Sequence, residues 1–411
     1  MTMRIPTLSQ FNAQSSLVSN QFGRLATLQV QVSSGKKLQQ SSDDPRLASQ
    51  IKAVQDSLDR LTSYDNNLVL AQNRVTLSSS VLQQASTLAI KAQGLMTQAQ
   101  NPTLSNTDRS AIALELSSIL DNMVGIANTQ DGNGNYLFNG NATGPAYVKN
   151  GSGYQYNGTY EGNVITIGDN AQLQYSQSGF AIFGDIKSGT GGFSVAADAL
   201  NTGTGYVAPV TTSSSGVISN HYTLTMVTNT AGKLGYQVFD DTTGQMVIPI
   251  APADAPEYIL GSVISFNGLT TKLEGEPLVG DQFTIAPSTT QNIFSTLQNA
   301  IHALNTPITT PQSRAAVNQI MLEQSSSFDG AFNHLVDELT QSGLRAQQID
   351  MHMNFNKESI IQQKTFLSAL EDIDLPEAIS KLSLQLTMLE MSQQTYSKLQ
   401  EMFKQLMSQP F

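Results

Sequence analysis

Phe11, Val18, Leu25 and Val32 stand seven residues apart, with Phe22 beside them, and the run ends at Ser34-Gly35. That spacing predicts one amphipathic helix with glycine marking its end. Ser42-Asp43-Asp44-Pro45 supplies the next start signal, because an Asp side chain accepts from free first-turn amides and Pro needs no donor there. Val54, Leu61, Leu68, Val75, Leu82 and Ala89 then repeat at seven up to Asn101-Pro102, while Asp65, Gln72, Ser79 and Ser86 put polar groups at the intervening seam places. As a single helix, residues 45–100 would extend about 84 Å. A compact globule of 411 residues has a radius of gyration of about 22 Å, so the pattern predicts an elongated rod.

The far end mirrors the near one. Phe328, Phe332, Leu335, Leu339, Ala346, Ile349, Met353, Ile360, Leu367 and Leu370 follow a 3-4 alternation. Asp374-Leu375-Pro376-Glu377 then opens a last helix with capping-box spacing. Its stripe is Leu375, Leu382, Leu389, Tyr396 and Phe403, interleaved with Ile379 and Leu386, but Leu384, Met388, Met391, Met402 and Leu406 lie off it. A helix apolar on most sides asks for burial on most sides.

Between these ends the texture changes to short runs such as Val164–Ile167, Tyr222–Val227, Tyr236–Phe239 and Phe283–Ile285, separated by Gly-, Asn- and Asp-rich turns. These are strand signals, and the Gly/Ser/Thr-rich stretch 188–219 reads as a long loop. The predicted fold class is α+β, an elongated rod of long N- and C-terminal helices packed as a coiled-coil-like bundle with an inserted β-rich domain. The expected division is terminal assembly helices at 1–40 and 375–411, disordered in the monomer, a helical rod domain at 41–144 and 286–374, and the insert at 145–285. The five apolar residues of the first stripe would gain on the order of 10 kcal/mol on burial. Ordering about 40 residues costs more than that, so an isolated arm needs neighbours.

Composition narrows the function. Lys and Arg number 21 against 32 Asp and Glu, for a net charge of −11, which argues against an electrostatic grip on nucleic acid or anionic lipid. The excess acid lies in the middle, since residues 1–100 carry +4, 101–290 carry −10 and 291–411 carry −5. There is no Cys, which excludes disulfides, thiolate chemistry and Cys-ligated metal sites. The N-terminus lacks the apolar core of a cleavable signal peptide, and no stretch reads as a transmembrane span.

Candidate chemistry is sparse. Asp131-Gly132-Asn133-Gly134-Asn135 opens like a calcium loop, but Tyr136 stands where the sharp turn needs Gly and Ala142 where the bidentate ligand needs Glu. The four His, at 221, 302, 334 and 352, form no i, i+4 pair, and Asp43-Asp44 and Glu371-Asp372 sit where capping accounts for them. No catalytic, cofactor or metal site is expected.

Several strings resemble the bacterial flagellin family. Ser34-Gly35-Lys36-Lys37-Leu38 followed by Ser41-Ser42-Asp43-Asp44-Pro45 is similar to the family's signature near its first rod helix. Met3-Arg4-Ile5-Pro6-Thr7, Gly134-Asn135-Tyr136-Leu137-Phe138-Asn139-Gly140, Gly280–Ile285 leading into Ile293-Phe294, and Asp372–Ala378 leading into Leu382 are most like its hook–filament junction members. The likeness covers roughly 1–145 and 280–411. It departs at Pro376 and at the ending Phe403–Phe411, which lacks a Leu-Ser-Leu close.

The resemblance implies a structural, non-enzymatic subunit of the bacterial flagellum. Such a subunit is secreted by type III export without a cleaved signal and is helped by an export chaperone on its C-terminal part. It would self-associate and contact a neighbouring hook-associated protein and flagellin. The expected assembly interface is Phe11, Val18, Phe22, Leu25 and Val32 with Leu375, Ile379, Leu382, Leu386, Leu389, Tyr396 and Phe403. Filament flagellin is the alternative within the family, and a secreted enzyme acting through the β insert is the alternative outside it.

Overall fold

The computed structural model describes residues 4–151, 153–212, 219–249 and 255–408, with the side chains of 4–8, 10, 11, 403 and 406–408 left out. The chain divides into two compact units, Met1–Asn66 with Met353–Phe411, and Asn67–His352.

Among the described residues the α-helices are α1 Arg4–Ser34, α2 Pro45–Ala99, α3 Asn106–Ala127, α4 Ile293–Asn305, α5 Pro311–Glu371 and α6 Leu375–Ser408, of which α1, α2, α5 and α6 carry the heptad patterns. Each boundary has a local cause. Gly35, at φ +72°, turns the chain out of α1 and donates its N–H back to the Gln31 carbonyl at 2.9 Å. Asp44 Oδ1 accepts from Arg46 and Leu47 N–H at 3.1 Å each, which starts α2 one residue later. Asp374 Oδ1 accepts from Glu377 N–H at 3.2 Å at the head of α6. Ser105 and Asp108 form a full capping box on α3, and Asn292 caps α4 through Ser295 N–H.

Two cores organise the second unit. The first gathers the Val81–Ala99 face of α2 with α3, α4 and the Val317–Leu335 face of α5. The α2 stripe points inward as its spacing predicts, with Leu68, Val75, Leu82 and Ala89 all buried. Ser79, a polar seam residue, pairs with Ser342 of α5 through hydroxyls 2.8 Å apart. α3 corrects one sequence expectation. It is long and apolar enough to cross a membrane by length and composition, yet its Ile112, Leu116, Ile119, Leu120 and Met123 are core residues of this bundle.

The β-rich stretch divides between the cores. β1 Tyr147–Asn150 pairs with β2 Gly153–Tyr156, β3 Val164–Gly168 with β4 Ala171–Gln174, and β5 Ile186–Lys187 with a distant β15 Thr290–Gln291. Tyr147, Phe183 and Ile186 belong to the helical core, where the Tyr147 ring meets Phe294 of α4 at 4.7 Å between centroids.

The second core is the space between two further sheets. One has the order β11 Gln245–Ile248, β10 Leu234–Asp240, β9 Tyr222–Thr228, β14 Gln282–Pro287, β6 Phe193–Ala197. The other runs β12 Val263–Phe266, β13 Leu269–Glu274, β7 Tyr206–Val207, with β8 Thr211–Thr212 also on β13. Tyr222 and Phe266, ring centroids 5.1 Å apart, join the two. Here the stretch 188–219 departs from the expected long loop, because β6, β7 and β8 lie within it; residues 213–218 fall outside the described residues. In β6, Phe193 and Val195 alternate inward against Ser194 and Ala196, a pattern too short to stand out from its Gly and Thr surroundings.

Candidate assembly site

Two of the strings that carry the family resemblance, Ser34–Pro45 and Asp372–Ala378, meet in the first unit. The turn after α1 and the turn between α5 and α6 lie side by side and exchange backbone bonds: Lys37 N–H donates to the Glu371 carbonyl at 2.7 Å, and Ile373 N–H to the Gly35 carbonyl at 2.9 Å. Side chains fasten the same joint. Lys36 Nζ lies 3.0 Å from Glu371 Oε2, Gln55 Nε2 of α2 donates to Glu371 Oε1 at 2.7 Å, and Lys37 Nζ donates to the Ala369 carbonyl at 2.6 Å. Gln31 of α1 donates to the Lys37 carbonyl at 2.6 Å. The C-terminal ends of α1 and α5 are therefore joined in one hydrogen-bonded clasp that also takes in Gln55 of α2. Lys36, Lys37, Gln55 and Glu371 stand outside the apolar stripes, and spacing cannot reveal a partnership across more than three hundred residues.

From this clasp α1 and α6 run packed on each other. Their contact sorts the expected interface residues into two sets. Val18, Leu25, Val32, Leu382 and Tyr396 are half-buried, and Leu389 is only 6% exposed. Phe22 at 48%, Leu375 at 45%, Ile379 at 54% and Leu386 at 47% face outward. Leu384, Met388 and Met391 are exposed with them. The side chains of Phe11 and Phe403 lie outside the described residues. An α6 apolar most of the way round thus spends one stripe inside the unit and leaves a second uncovered.

A second signature, Gly134–Gly140, is structural in the other unit. Asp131 Oδ1 accepts from Asn133 and Asn135 N–H at 2.9 Å each, while Oδ2 lies 3.7 Å from Arg74. Arg74 also donates to the Tyr136 carbonyl at 2.9 Å. The carboxylate that opens the calcium-like string is thereby committed to a turn and an arginine. Next to it Leu137 and Phe138 enter the helical core, and Phe138 packs edge-on to Phe183 at 5.8 Å. Asp281, in the third signature, is buried and accepts from Thr202, Gly203 and Leu278 N–H, closing the end of β14.

Tyr147 and His334 are each held by a backbone carbonyl. Tyr147 is held well above the usual phenol range by burial and donates to the Gly179 carbonyl at 3.0 Å. His334 Nε2 lies 2.5 Å from the Ala181 carbonyl. Among the described residues no three His, Asp or Glu converge as a metal-ligating group.

Comparison with known proteins extends these observations. Residues 7–143 match the bacterial flagellin N-terminal helical region. The flagellar hook-associated protein 3 of Salmonella typhimurium is 33% identical over 187 residues, 45% of this chain and 58% of the relative. The Escherichia coli protein of the same name is 30% identical over 186 residues, again 45% and 58%. The chain thus spans 58% of the length of the curated relatives it matches. Among solved structures, flagellar hook-associated protein 3 from Legionella pneumophila has 29% identity and a TM-score of 0.75, covering 78% of this chain and 98% of that one. FlgL from Xanthomonas campestris has 28% identity and a TM-score of 0.70, covering 77% and 99%.

Proposed function

We propose that this chain, with its flagellin-type N-terminal helical region and its likeness to hook-associated protein 3 and FlgL, is a structural subunit of the bacterial flagellum that joins hook to filament. The observation that carries it is that Leu375, Ile379 and Leu386 of α6, with Phe22 of α1, stand exposed on a helix pair whose Val18, Leu25, Val32, Leu382, Leu389 and Tyr396 are buried or half-buried. Exposed apolar surface of this extent marks an interaction face. Its periodicity along a helix suits a second helix pair, which is what another subunit offers. The relatives are named for the hook and the junction, which supports the junction over the filament and over an enzyme.

On this proposal the paired terminal helices α1 and α6 are only marginally stable in the free subunit and are fixed by their neighbours. Those neighbours are further copies, a hook-associated protein and flagellin, and an export chaperone covers the C-terminal part beforehand. The site is extracellular, reached without a cleaved signal. The test is deletion of the gene in its own cell: hooks should remain while filament subunits appear in the medium, and reintroduction of the gene should restore filaments. Normal filaments in the deletion strain would overturn the proposal, and polymerisation of the pure protein into filaments would point to flagellin.

A further inference from the structure

α5 meets the β insert through one polar stripe. Gln319, Glu323 and Ser327 are four residues apart and share a face of the helix. Gln319 Oε1 accepts from Val207 N–H at 2.7 Å, and its Nε2 donates to the Val207 carbonyl at 3.2 Å. Glu323 Oε2 accepts from Val195 N–H at 3.1 Å, and Ser327 Oγ accepts from Gly189 N–H at 2.7 Å. Val195 lies on β6 and Val207 on β7, each at one edge of its sheet. Edge strands carry backbone groups that the sheet leaves unpaired. Two side chains of one helix thus meet an edge of each insert sheet, and a third holds the turn before β6.

The contact is not closely packed. A cavity of about 440 Å³ opens between β6, the following segment to Gly205 and α5, with Glu323 on its wall. Gln324, also lining it, is buried and its Oε1 has no partner among the described residues. At that point the helix is seated on the insert by hydrogen bonds to its backbone, beside a void.

We propose that Gln319, Glu323 and Ser327 form a releasable latch that fixes the insert to α5, and that Glu323 is the member that lets go. Gln319 and Ser327 are neutral at every pH, so Glu323 is the titratable element of the stripe. Burial pushes its carboxyl up to about 7, against the opposing effect of the Val195 N–H. Asp198, the other charged residue on the cavity wall, is engaged elsewhere and accepts from Leu200 N–H at 2.8 Å. A carboxyl that binds its proton more tightly docked than free favours docking at low pH. The grip is complete below the ordinary value of 4.5, weakens as pH rises through the window up to about 7, and stays weak above it. A shift of that size corresponds to a change on the order of a hundredfold in the docking equilibrium.

The chain contains no Cys, so two can be introduced and spin-labelled without background: Ala231→Cys at the exposed β9–β10 turn and Asn333→Cys on an exposed face of α5. Pulsed electron resonance on the full chain should give a narrow distance distribution at pH 5 and a broad one at pH 8. Added to the pair, Glu323→Gln, which keeps the acceptor and cannot ionise, should stay narrow at both. Gln319→Ala should be broader than the parent at pH 5. Circular dichroism at each pH confirms that the labelled proteins are folded. A parent distribution that does not change between the two pH values would overturn the proposal, as would a Glu323→Gln protein that broadens with pH as the parent does.

Discussion

Lys36 and Glu371 are 335 residues apart in sequence, and their side chains meet at 3.0 Å where the turn after α1 touches the turn before α6. The pair is unequal, since the Lys36 side chain is 55% exposed and that of Glu371 only 14%. Glu371 also accepts from Gln55, so its carboxylate ties three chain segments at once.

This asymmetry predicts unequal costs. Lys36→Ala removes a largely exposed ion and should lower stability by less than about 1 kcal/mol. Glu371→Ala also strands the Gln55 amide and should cost about 1–3 kcal/mol. Urea unfolding of both single variants and the double variant checks this. A coupling energy below about 1 kcal/mol that shrinks in 0.5 M NaCl is expected.

The two stripes of α6 predict different failures. Leu389 is buried within its unit, so Leu389→Asp puts an unpaired charge there at a cost of several kcal/mol and should loosen the α1–α6 pair, lowering helicity by circular dichroism. Leu386, outward on the same helix, should accept Asp with helicity unchanged but with loss of assembly onto the hook. Lys381→Ser removes one exposed i, i+4 pair with Glu377 and should change stability by only about 0.3–0.5 kcal/mol, with assembly intact. A Leu386→Asp protein that still assembles would move the interface elsewhere.

Much of the helical part was legible in sequence because its signals are local and periodic. Pro45 after Asp44, the seven-residue stripe of Val54 to Ala89 and the break at Gly35 each act within one or two turns of helix. The strands β3, β9, β10 and β14 likewise follow from runs of β-branched and aromatic residues. What escaped the sequence depends on distance. β6 pairs with β14 some ninety positions away, and β5 with β15 about a hundred away, so their few residues have no local partner to announce them. The apolar stripe of the interface residues was visible, but not its division, because Leu386 and Leu389 are alike in sequence and differ only in burial within the fold.

The capping box of α3 predicts a small acid sensitivity. Asp108 is held below its ordinary value of 3.8 by its hydrogen bonds with Ser105. A carboxyl lowered by folding contributes its stability above that ordinary value and loses it as pH falls toward the lowered one. Ser105→Ala should cost about 1 kcal/mol at pH 7. The difference from the parent should narrow when both are unfolded thermally near pH 3, and a gap that stays constant would show that the hydroxyl acts without the carboxylate.

Gly140 closes the Gly134–Gly140 signature, and substitution there is predicted to be more costly than at a turn glycine with open space. Its φ is +63°, and a Cβ would meet Thr159 Oγ1 at 2.0 Å and the Glu161 carbonyl at 3.0 Å. The strained backbone alone costs a side chain about 1–2 kcal/mol. Gly35 has a similar φ of +72° but nothing within 4 Å of the Cβ position, so Gly35→Ala measures that backbone cost by itself. At Gly140 the collision adds to it, because Thr159 Oγ1 must move and in moving gives up the hydrogen bond it accepts from Asn141 N–H at 3.1 Å. Gly140→Ala should therefore destabilise by about 2–4 kcal/mol, the range of overpacking added to strain. Thr159→Ala removes the obstructing hydroxyl, so the double variant should be less destabilised than the two single losses combined. Urea midpoints of the four proteins decide it: equal losses at Gly35 and Gly140, or strict additivity with Thr159→Ala, would show that the crowding at Gly140 carries no energy.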